Sequence, residues 1–354
     1  MSSMIPPPPP PPQPPPPPQP PPPSLNGLQV SQPPTSNETT ISQDISLKES
    51  LKTMLENRLQ PKTDENDVKF RFYSPLSGDS YQVHSFPFLS PPSPSSFSSS
   101  RPTKLVAHGN KGLTDVDLML NQAYREAEMD CNLVGIDWRE LDGSAHLRVV
   151  QAGLQTGKLV KCLIMEFGLQ VEDIHCIGFS YGAHVVANAS KELQKLGLCR
   201  IPRITALDPG RHGFDQESAD SIRLCKEDAD LVDIIHTSRI GFLEPLGHID
   251  FYPNGGESQV CEGAGDKVNF CDLQAGGGWE HQRAVQYYEE SILGYTKFRS
   301  LRAESLDQFV EMEDGLVCAE EELVCMGEHL CHKGIPKEGR YYLKTNGMKP
   351  FSKS

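Results

Sequence analysis

A serine between two glycines is the first residue of this chain whose type and surroundings could do chemistry. Gly178-Phe179-Ser180-Tyr181-Gly182 has the form G-x-S-x-G, with an apolar run, Ile174–Ile177, before it and a helical pattern, Ala183–Leu196, behind it. A strand that turns sharply into a helix holds its serine at a strained apex and needs small residues on both sides. This context predicts a nucleophile elbow in which Ser180 attacks a carbonyl carbon.

An acid and a base must serve this serine, because a serine hydroxyl is a weak nucleophile near neutral pH. In hydrolases with such an elbow, the chain order is serine, then acid, then histidine. Asp208 follows the predicted strand at residues 203–207, and Pro209-Gly210 ends that strand. Asp208 is therefore the predicted acid.

Three histidines are candidates for the base. His281 follows a run of three glycines and stands before a predicted helix, Gln282–Ile292, so we expect it on a loop at the helix start. His236 closes a predicted strand and His248 opens the next one. The residues alone favour His281 and leave His236 and His248 as alternatives.

Acyl transfer also needs two hydrogen-bond donors directed at the developing oxyanion. The backbone N–H of Tyr181, directly after the serine, is one candidate. The other is the backbone N–H of Asn110, because His108-Gly109-Asn110 follows the predicted strand Leu105–Ala107.

Short apolar runs alternate with helical patterns around these residues, which predicts βαβ crossovers. The expected fold class is α/β, with a mostly parallel central sheet covered by helices on both faces. Strands are predicted at Phe70–Ser74, Tyr81–Phe86, Leu105–Ala107, Leu133–Ile136, Ile174–Gly178, Ile204–Leu207, Val232–Ile235 and Ile249–Tyr252, and helices at Leu118–Ala127, Leu147–Phe167, Ala183–Leu196 and Gln282–Ile292.

Composition divides the chain into three parts. Residues 1–66 read as a disordered extension, and sixteen of the 31 prolines of the chain lie between Pro6 and Pro23. A polyproline-binding module is an alternative partner for this tract. Residues 67–300 carry the hydrolase pattern, and residues 301–354 form a cysteine-containing segment that is expected to pack on the hydrolase domain.

Charge and hydropathy exclude several classes of protein. The 33 Lys and Arg residues face 47 Asp and Glu residues, a net charge of −14. Nucleic-acid binding is not expected, because affinity for phosphate backbones rests on basic residues. No apolar run approaches the roughly 18 residues of a transmembrane segment. No signal-peptide pattern is visible at the N-terminus.

Four blocks of the chain resemble the pancreatic-type lipases, a family of α/β-hydrolases, in that family's order and spacing. The blocks are Ile177–His184, Arg203–Pro209, Val232–Thr237 and Gly247–Gly256. The resemblance extends from about residue 70 to residue 352 and implies the α/β-hydrolase fold. It also implies that Ser180, Asp208 and His281 form the catalytic triad. Under this resemblance, His236 and His248 have structural roles.

The same resemblance narrows the substrate. Triglyceride lipases of the family carry a long lid between two cysteines and a C-terminal β-sandwich. Here the matching cysteines, Cys261 and Cys271, are a candidate disulfide that encloses nine residues, and no β-sandwich is expected. The blocks Cys325–Gly327 and Gly339–Asn346 are similar to the single-domain phospholipases A1 of arthropods. A bulky apolar residue is usual in the family where Asn110 stands.

A calcium site is a further feature of some family members. Asp220, the carbonyl of Arg223 and Asp228 match its ligands, whereas Cys225 stands where a carboxylate is usual. Calcium prefers six or more oxygen ligands, so these residues are weak candidates and no cofactor is expected to be required. Ten cysteines without a CxxC motif, together with the resemblance, indicate an extracellular protein.

The expected function is hydrolysis of carboxylic ester bonds in lipids at a membrane, micelle or lipoprotein surface. Phospholipids are the favoured substrates, with neutral glycerides as a further substrate class. Two alternatives stay open: a catalytically weak lipid-binding protein of the same fold, and a cytoplasmic scaffold that acts through the polyproline tract.

Overall fold

The computed structural model describes residues 68–74, 78–86, 92–93, 96–112, 114–261, 278–294, 297–315, 323–330 and 336–353. The predicted extension, residues 1–66, lies outside them. The strands are β1 (Lys69–Tyr73), β2 (Tyr81–Ser85), β3 (Thr103–Ala107), β4 (Asn132–Asp137), β5 (Ile174–Phe179), β6 (Ile201–Leu207), β7 (Ala229–Ile235), β8 (Ile249–Pro253), β9 (Phe298–Arg302), β10 (Val324–Met326) and β11 (Gly339–Leu343). The helices are α1 (Val116–Glu126), α2 (Ala145–Met165), α3 (Gly182–Lys195), α4 (Gly278–Leu293) and α5 (Leu306–Gly315).

All of these strands join one sheet in the order β10-β9-β11-β8-β7-β6-β5-β3-β4-β1-β2. The strands from β4 to β11 in this order run parallel to one another. Antiparallel strands flank them on both sides. The predicted α/β class with a mostly parallel sheet is therefore confirmed, and the described strands include no second sheet that could form a sandwich.

Helices cover both faces of the sheet, as predicted, because each face presents its own set of apolar side chains. On one face, Val149 and Leu159 of α2 and Val185 of α3 pack into a buried cluster with Ile204 of β6. On the other face, α1 and α4 contribute to a second cluster that includes Leu120. Both faces of a parallel sheet must be buried, which explains the continuous apolar runs in its strands.

The C-terminal segment adds strands to this sheet, a pairing that the expectation for residues 301–354 did not include. Strand β9 (Phe298–Arg302) crosses the boundary set at residue 300, and β11 pairs with β8 in parallel and with β9 antiparallel. The side chains of Tyr341 and Leu343 are buried in the second apolar cluster. This apolar stretch therefore gains more by joining the sheet than by covering it.

The order of the central strands decides where the candidate functional residues meet. Strands β3, β5, β6 and β7 are neighbours and parallel, so their carboxyl ends lie at one edge of the sheet. The turns after these strands carry Asn110, Ser180, Asp208 and Ser238, respectively. Ligands of open α/β sheets bind at such an edge. None of the helices in the described part of the chain has the length and apolar character that crossing a bilayer requires.

Candidate active site

The serine turn has the geometry of a nucleophile elbow. Ser180 stands between β5 and α3 with a φ of 55°, a left-handed conformation that is rare for a residue with a side chain. A Cβ atom at Gly178 would lie 2.5 Å from the carbonyl oxygen of Gly182, and one at Gly182 would lie 2.3 Å from the carbonyl oxygen of Ala107. Both glycines are therefore required by close backbone contacts, and the turn holds Ser180 at its apex.

Asp208 lies in the neighbouring turn, directly after β6, and is fully buried. It too has a left-handed backbone, with a φ of 45°. Its Oδ1 accepts the backbone N–H groups of Thr237 at 2.8 Å and Ser238 at 3.2 Å, and its Oδ2 accepts the Ser238 hydroxyl at 2.5 Å. A buried carboxylate needs such partners, because burying an unpaired charge is costly.

His281 supplies the fourth donor to this carboxylate. Its Nδ1 lies 2.6 Å from Oδ2 of Asp208, and its ring packs against that of Phe179, with 4.6 Å between the centroids. Among the described residues, no hydrogen bond joins His281 to Ser180. In substrate-free sites such contacts are often long and shorten only when substrate binds. Because Nδ1 faces Asp208, the other ring nitrogen, Nε2, is left to act on a nucleophile.

The predicted loop position of His281 is wrong, since the residue lies inside the first turn of α4 (Gly278–Leu293). Trp279 and Glu280 continue the helix toward its N-terminus, where an acidic side chain interacts favourably with the helix dipole. Glu280 also accepts the backbone N–H of Gln259 at 3.2 Å. His281 is therefore presented from the first turn of a helix.

The two alternative histidines have other partners. Nδ1 of His236 lies 2.6 Å from the carbonyl oxygen of Phe242, and its Nε2 lies 2.8 Å from Oδ1 of Asp250. Nδ1 of His248 accepts the backbone N–H of Val232 at 2.9 Å. Neither histidine contacts Asp208 among the described residues, so the structure pairs the candidate acid with His281.

The two candidate oxyanion donors flank Ser180. Tyr181 precedes α3, whose N-terminus favours negative charge, and its hydroxyl donates to the carbonyl of His212 at 2.7 Å. Asn110 is exposed and opens a short 3-10 turn, Asn110–Gly112, after β3. This loop lies against the elbow, because a Cβ atom at Gly109 would be 3.1 Å from Cβ of Ser180.

Ser238 and Thr237 are members of the site that the sequence analysis missed. Thr237 ends a block that was assigned to the family resemblance, and Ser238 follows it at the carboxyl end of β7. A search of every turn at the carboxyl end of a parallel strand would have found both residues.

The three calcium candidates have protein cations as partners in this structure. Asp220 pairs with the guanidinium of Arg223 at 2.7 Å. The ammonium of Lys191 donates to the Arg223 carbonyl at 3.0 Å and to Oδ1 of Asp228 at 2.5 Å. Among the described residues, no group of three or more His, Cys, Asp and Glu side chains could hold a metal ion. A lysine cation therefore lies between two of the oxygens that the resemblance matched to calcium ligands.

The described cysteines include one disulfide-bonded residue and several free thiols. Cys261 is disulfide-bonded, whereas Cys271 and the segment between the two lie outside the described residues. Among the residues that the structure describes, the free cysteines are Cys131, Cys162, Cys176, Cys199, Cys225 and Cys325. Burial raises the pKa of the Cys162 thiol to about 11, so this thiol stays protonated at neutral pH.

Comparison with known proteins gives a family match over most of the chain. The model of the family named Lipase matches residues 35–351. Pancreatic lipase-related protein 2 of Homo sapiens is 29% identical over 307 residues, which cover 80% of this chain and 61% of that protein. The chain thus spans about three fifths of the length of that relative.

Two further relatives differ in the activity that their names describe. A phospholipase A1 of Vespula squamosa is 30% identical over 265 residues, which cover 71% of this chain and 83% of that protein. Inactive pancreatic lipase-related protein 1 of Homo sapiens is 28% identical over 321 residues, which cover 81% of this chain and 65% of that protein.

Proposed function

The chain belongs to the lipase family, and on that premise we propose that it is a serine hydrolase that cleaves carboxylic ester bonds of lipids. One observation carries the proposal. Oδ2 of Asp208 and Nδ1 of His281 lie 2.6 Å apart, at the same edge of the sheet as Ser180 at the apex of its turn. Two of the four described non-glycine residues with positive φ are Ser180 and Asp208. Backbone strain of this kind concentrates at functional sites.

The proposed mechanism follows from the order of these contacts. His281 takes the proton of Ser180 through Nε2 while the serine oxygen attacks the ester carbonyl. Asp208 orients the imidazole and stabilises its protonated form, and His281 then returns the proton to the leaving alcohol. The backbone N–H groups of Tyr181 and Asn110 stabilise the oxyanion. Water then attacks the acyl-enzyme while His281 takes its proton. His281 returns this proton to Ser180 as the fatty acid leaves.

Phospholipids are the proposed substrates, with activity of the phospholipase A1 type, and neutral glycerides are a further substrate class. The relative named phospholipase A1 is matched over 83% of its length, a larger share than the pancreatic relatives reach. Only nine residues separate Cys261 from Cys271, and such a short segment can shield little apolar surface. We propose action at a lipid surface outside the cell, which the disulfide-bonded Cys261 supports.

A side-by-side assay tests this proposal. Fatty-acid release is measured from phosphatidylcholine vesicles and from triolein emulsion, with Ser180→Ala as the control for contaminating hydrolases. We expect release from phosphatidylcholine to exceed release from triolein, and both to vanish in the variant. Faster release from triolein would overturn the phospholipid assignment, and no release from either would overturn the hydrolase assignment.

A lipid-binding protein of low activity is the second candidate function. The relative named inactive favours it. Vesicle cosedimentation separates the two functions. Binding without fatty-acid release would support this candidate, whereas Ser180-dependent release would exclude it.

A further inference from the structure

A buried arginine touches the loop that carries one of the candidate oxyanion donors. Arg148 lies in the first turn of α2, and only 7% of its surface is exposed. Its Nη2 donates to the side-chain Oδ1 of Asn110 at 2.6 Å. A hydrogen bond from a charged donor is stronger than one between neutral groups. The contact therefore ties the 3-10 turn after β3 to the start of α2.

This guanidinium has no acidic partner in the part of the chain that the structure describes. Among the described residues no carboxylate lies within ion-pair distance of Arg148, and its buried Nε has no hydrogen-bond partner. Its other close contact is the ring of Trp138, whose centroid lies 5.4 Å from the guanidinium carbon. A cation–π contact compensates only part of the cost of burying a charge. An apolar side chain of similar volume would fit this position at lower cost, so stability does not explain the arginine.

Trp138 also contacts the first residue of this loop, His108. The rings of Trp138 and His108 are stacked, with 5.3 Å between centroids and 5° between planes. The indole N–H donates to the carbonyl of His108 at 3.0 Å, and the backbone N–H of Trp138 donates to Nε2 of His108 at 3.2 Å. Nδ1 of His108 then donates to the carbonyl of Gly109 at 2.7 Å. Arg148 fixes the third residue of this loop, which the Trp138–His108 stack does not reach.

We propose that Arg148 is a positioning residue, which acts through the Asn110 side chain to hold the Asn110 backbone N–H in place for the oxyanion. This inference rests on the proposed function. Oxyanion donors contribute to catalysis only when they are placed before the reaction begins, since small displacements cost large factors in rate. An exposed asparagine in a short turn needs such an anchor, and the buried cation supplies it. The buried, unpaired charge of Arg148 lowers the stability of the fold, and in return the oxyanion donor is in place before the reaction begins.

The test compares Arg148→Met with a matched control, Arg101→Met. Arg101 precedes the opposite end of β3, and its Nε forms an ion pair with Oδ1 of Asp130 at 2.7 Å, so the control variant loses a polar contact away from the site. With a soluble short-chain ester, we expect Arg148→Met to lower kcat by about 10- to 100-fold and to change KM by less than about twofold. Its Tm should equal or exceed that of the wild type. Arg101→Met should keep the wild-type kcat.

A second variant and an inhibitor separate positioning from a structural role. Asn110→Ala removes the same hydrogen bond from an exposed side chain, so its kcat should fall similarly, and the double variant should be no worse than about twofold below Arg148→Met. An alkylboronic acid, which forms a tetrahedral adduct on serine, should bind each variant more weakly by the factor lost in kcat/KM.

Three results would overturn the inference. The first is a kcat of Arg148→Met within about twofold of the wild type. The second is a pair of kcat losses in the single variants that multiply in the double variant. The third is a loss of kcat that is proportional to the loss of Tm across the variants. If Arg148→Met does not fold, Asn110→Ala with the boronic acid decides the matter by itself. A wild-type chain without esterase activity would instead overturn the proposed function, and this inference with it.

Discussion

The hydroxyl of Ser238 donates to Oδ2 of Asp208 at 2.5 Å, the same carboxylate oxygen that receives Nδ1 of His281 at 2.6 Å. Ser238 follows β7 and Asp208 follows β6, so two neighbouring strands hold the carboxylate from one side while α4 presents the imidazole from the other. The orientation of the candidate base therefore depends on a residue that does not touch it.

Replacement of Ser238 by alanine should leave Asp208 in the site but remove one of the hydrogen bonds that orient its carboxylate. The variant loses one donor to a buried carboxylate, a contact worth about 1.5–3 kcal/mol. We expect kcat on a soluble ester to fall by roughly tenfold, with KM nearly unchanged, because only the orientation of His281 suffers. Steady-state kinetics on the purified variant measures both quantities.

Ser352→Ala is the matched control for this prediction. The Ser352 hydroxyl donates to Oε1 of the buried Glu290 at 2.8 Å, and Glu290 accepts two backbone N–H groups as well, so the chemistry lost is the same. Ser352→Ala should lose stability but not kcat. Equal kcat losses in both variants would point to a general loosening of the fold.

Lys191 should make the chain indifferent to calcium. Its ammonium already lies between Asp228 and the Arg223 carbonyl, where a dication would have to displace it. We therefore expect neither excess calcium nor a chelator to shift Tm. Replacement by methionine leaves Asp228 buried and unpaired, which should cost about 3 kcal/mol in the free energy of unfolding. Thermal and urea unfolding measure both effects.

The deficit of Lys191→Met should also depend on pH in one direction. Burial raises the pKa of Asp228, and Lys191 opposes this shift. Without the lysine, the carboxyl binds a proton more readily when folded than when unfolded, so stability is regained as pH falls. The deficit should be smaller at pH 5 than at pH 7, and Lys349→Met, at an exposed pair, should show no such trend. A rise in the Tm of the wild type on addition of calcium would contradict the prediction that calcium does not stabilise this chain.

His184 should make unfolding sensitive to mild acid. Its Nε2 lies 2.8 Å from the Gly210 carbonyl, its Nδ1 accepts the backbone N–H of Leu224, and its ring stacks on Phe214. Burial lowers the pKa of His184 from 6.5 to about 3. The unfolded chain thus binds a proton below pH 6.5 that the folded chain does not bind, so stability falls as pH drops toward 3.

Between pH 7 and pH 5 this histidine should account for a loss of about 2 kcal/mol in the free energy of unfolding. Urea titrations at the two pH values measure the loss, and His184→Gln supplies the comparison because an amide can keep both hydrogen bonds. We expect the pH-dependent loss to be smaller in the variant by that amount. The same loss in both proteins would show that His184 is not responsible.

The strands β1 to β8, the helices α1 to α4 and the serine turn could be predicted from sequence because their determinants are local, whereas β9, β10, β11 and α5 were not predicted. Gly178 and Gly182 are required by contacts within the elbow itself, and the apolar run of β5 marks a buried strand. The start of α4 was misplaced by four residues because the glycines before it suggested a loop, while Trp279 and Glu280 continue the helix. The place of β11 was missed because insertion into a sheet depends on pairing with distant strands.

The contacts around the triad candidates could not be predicted from the residues alone. Arg148 and Asn110 are 38 residues apart, and Ser238 and Asp208 are 30 apart. Such pairs meet only once the strand order is fixed, and the alternation of strands and helices does not determine that order. The residues alone favoured His281, but for the same reason they left His236 and His248 open until the family resemblance was considered.

The triad candidates should act as one unit. Ser180→Ala and His281→Ala should each lower turnover by about four to six decades, and the double variant should be hardly worse. Asp208→Asn should cost less, because it disturbs the imidazole without removing the nucleophile. Single-turnover and steady-state assays of the four variants check this. Losses that multiply in the double variant would mean that Ser180 and His281 work independently.

Covalent labelling of the nucleophile is the most direct measurement of whether this chain is a serine hydrolase. The purified wild type is treated with a fluorophosphonate, and the modified peptide is identified by mass spectrometry alongside Ser180→Ala. We expect one label per chain, on Ser180, and loss of esterase activity in step with labelling. A label on another residue, or a Ser180→Ala variant that keeps most of its esterase activity in a clean preparation, would contradict the assignment.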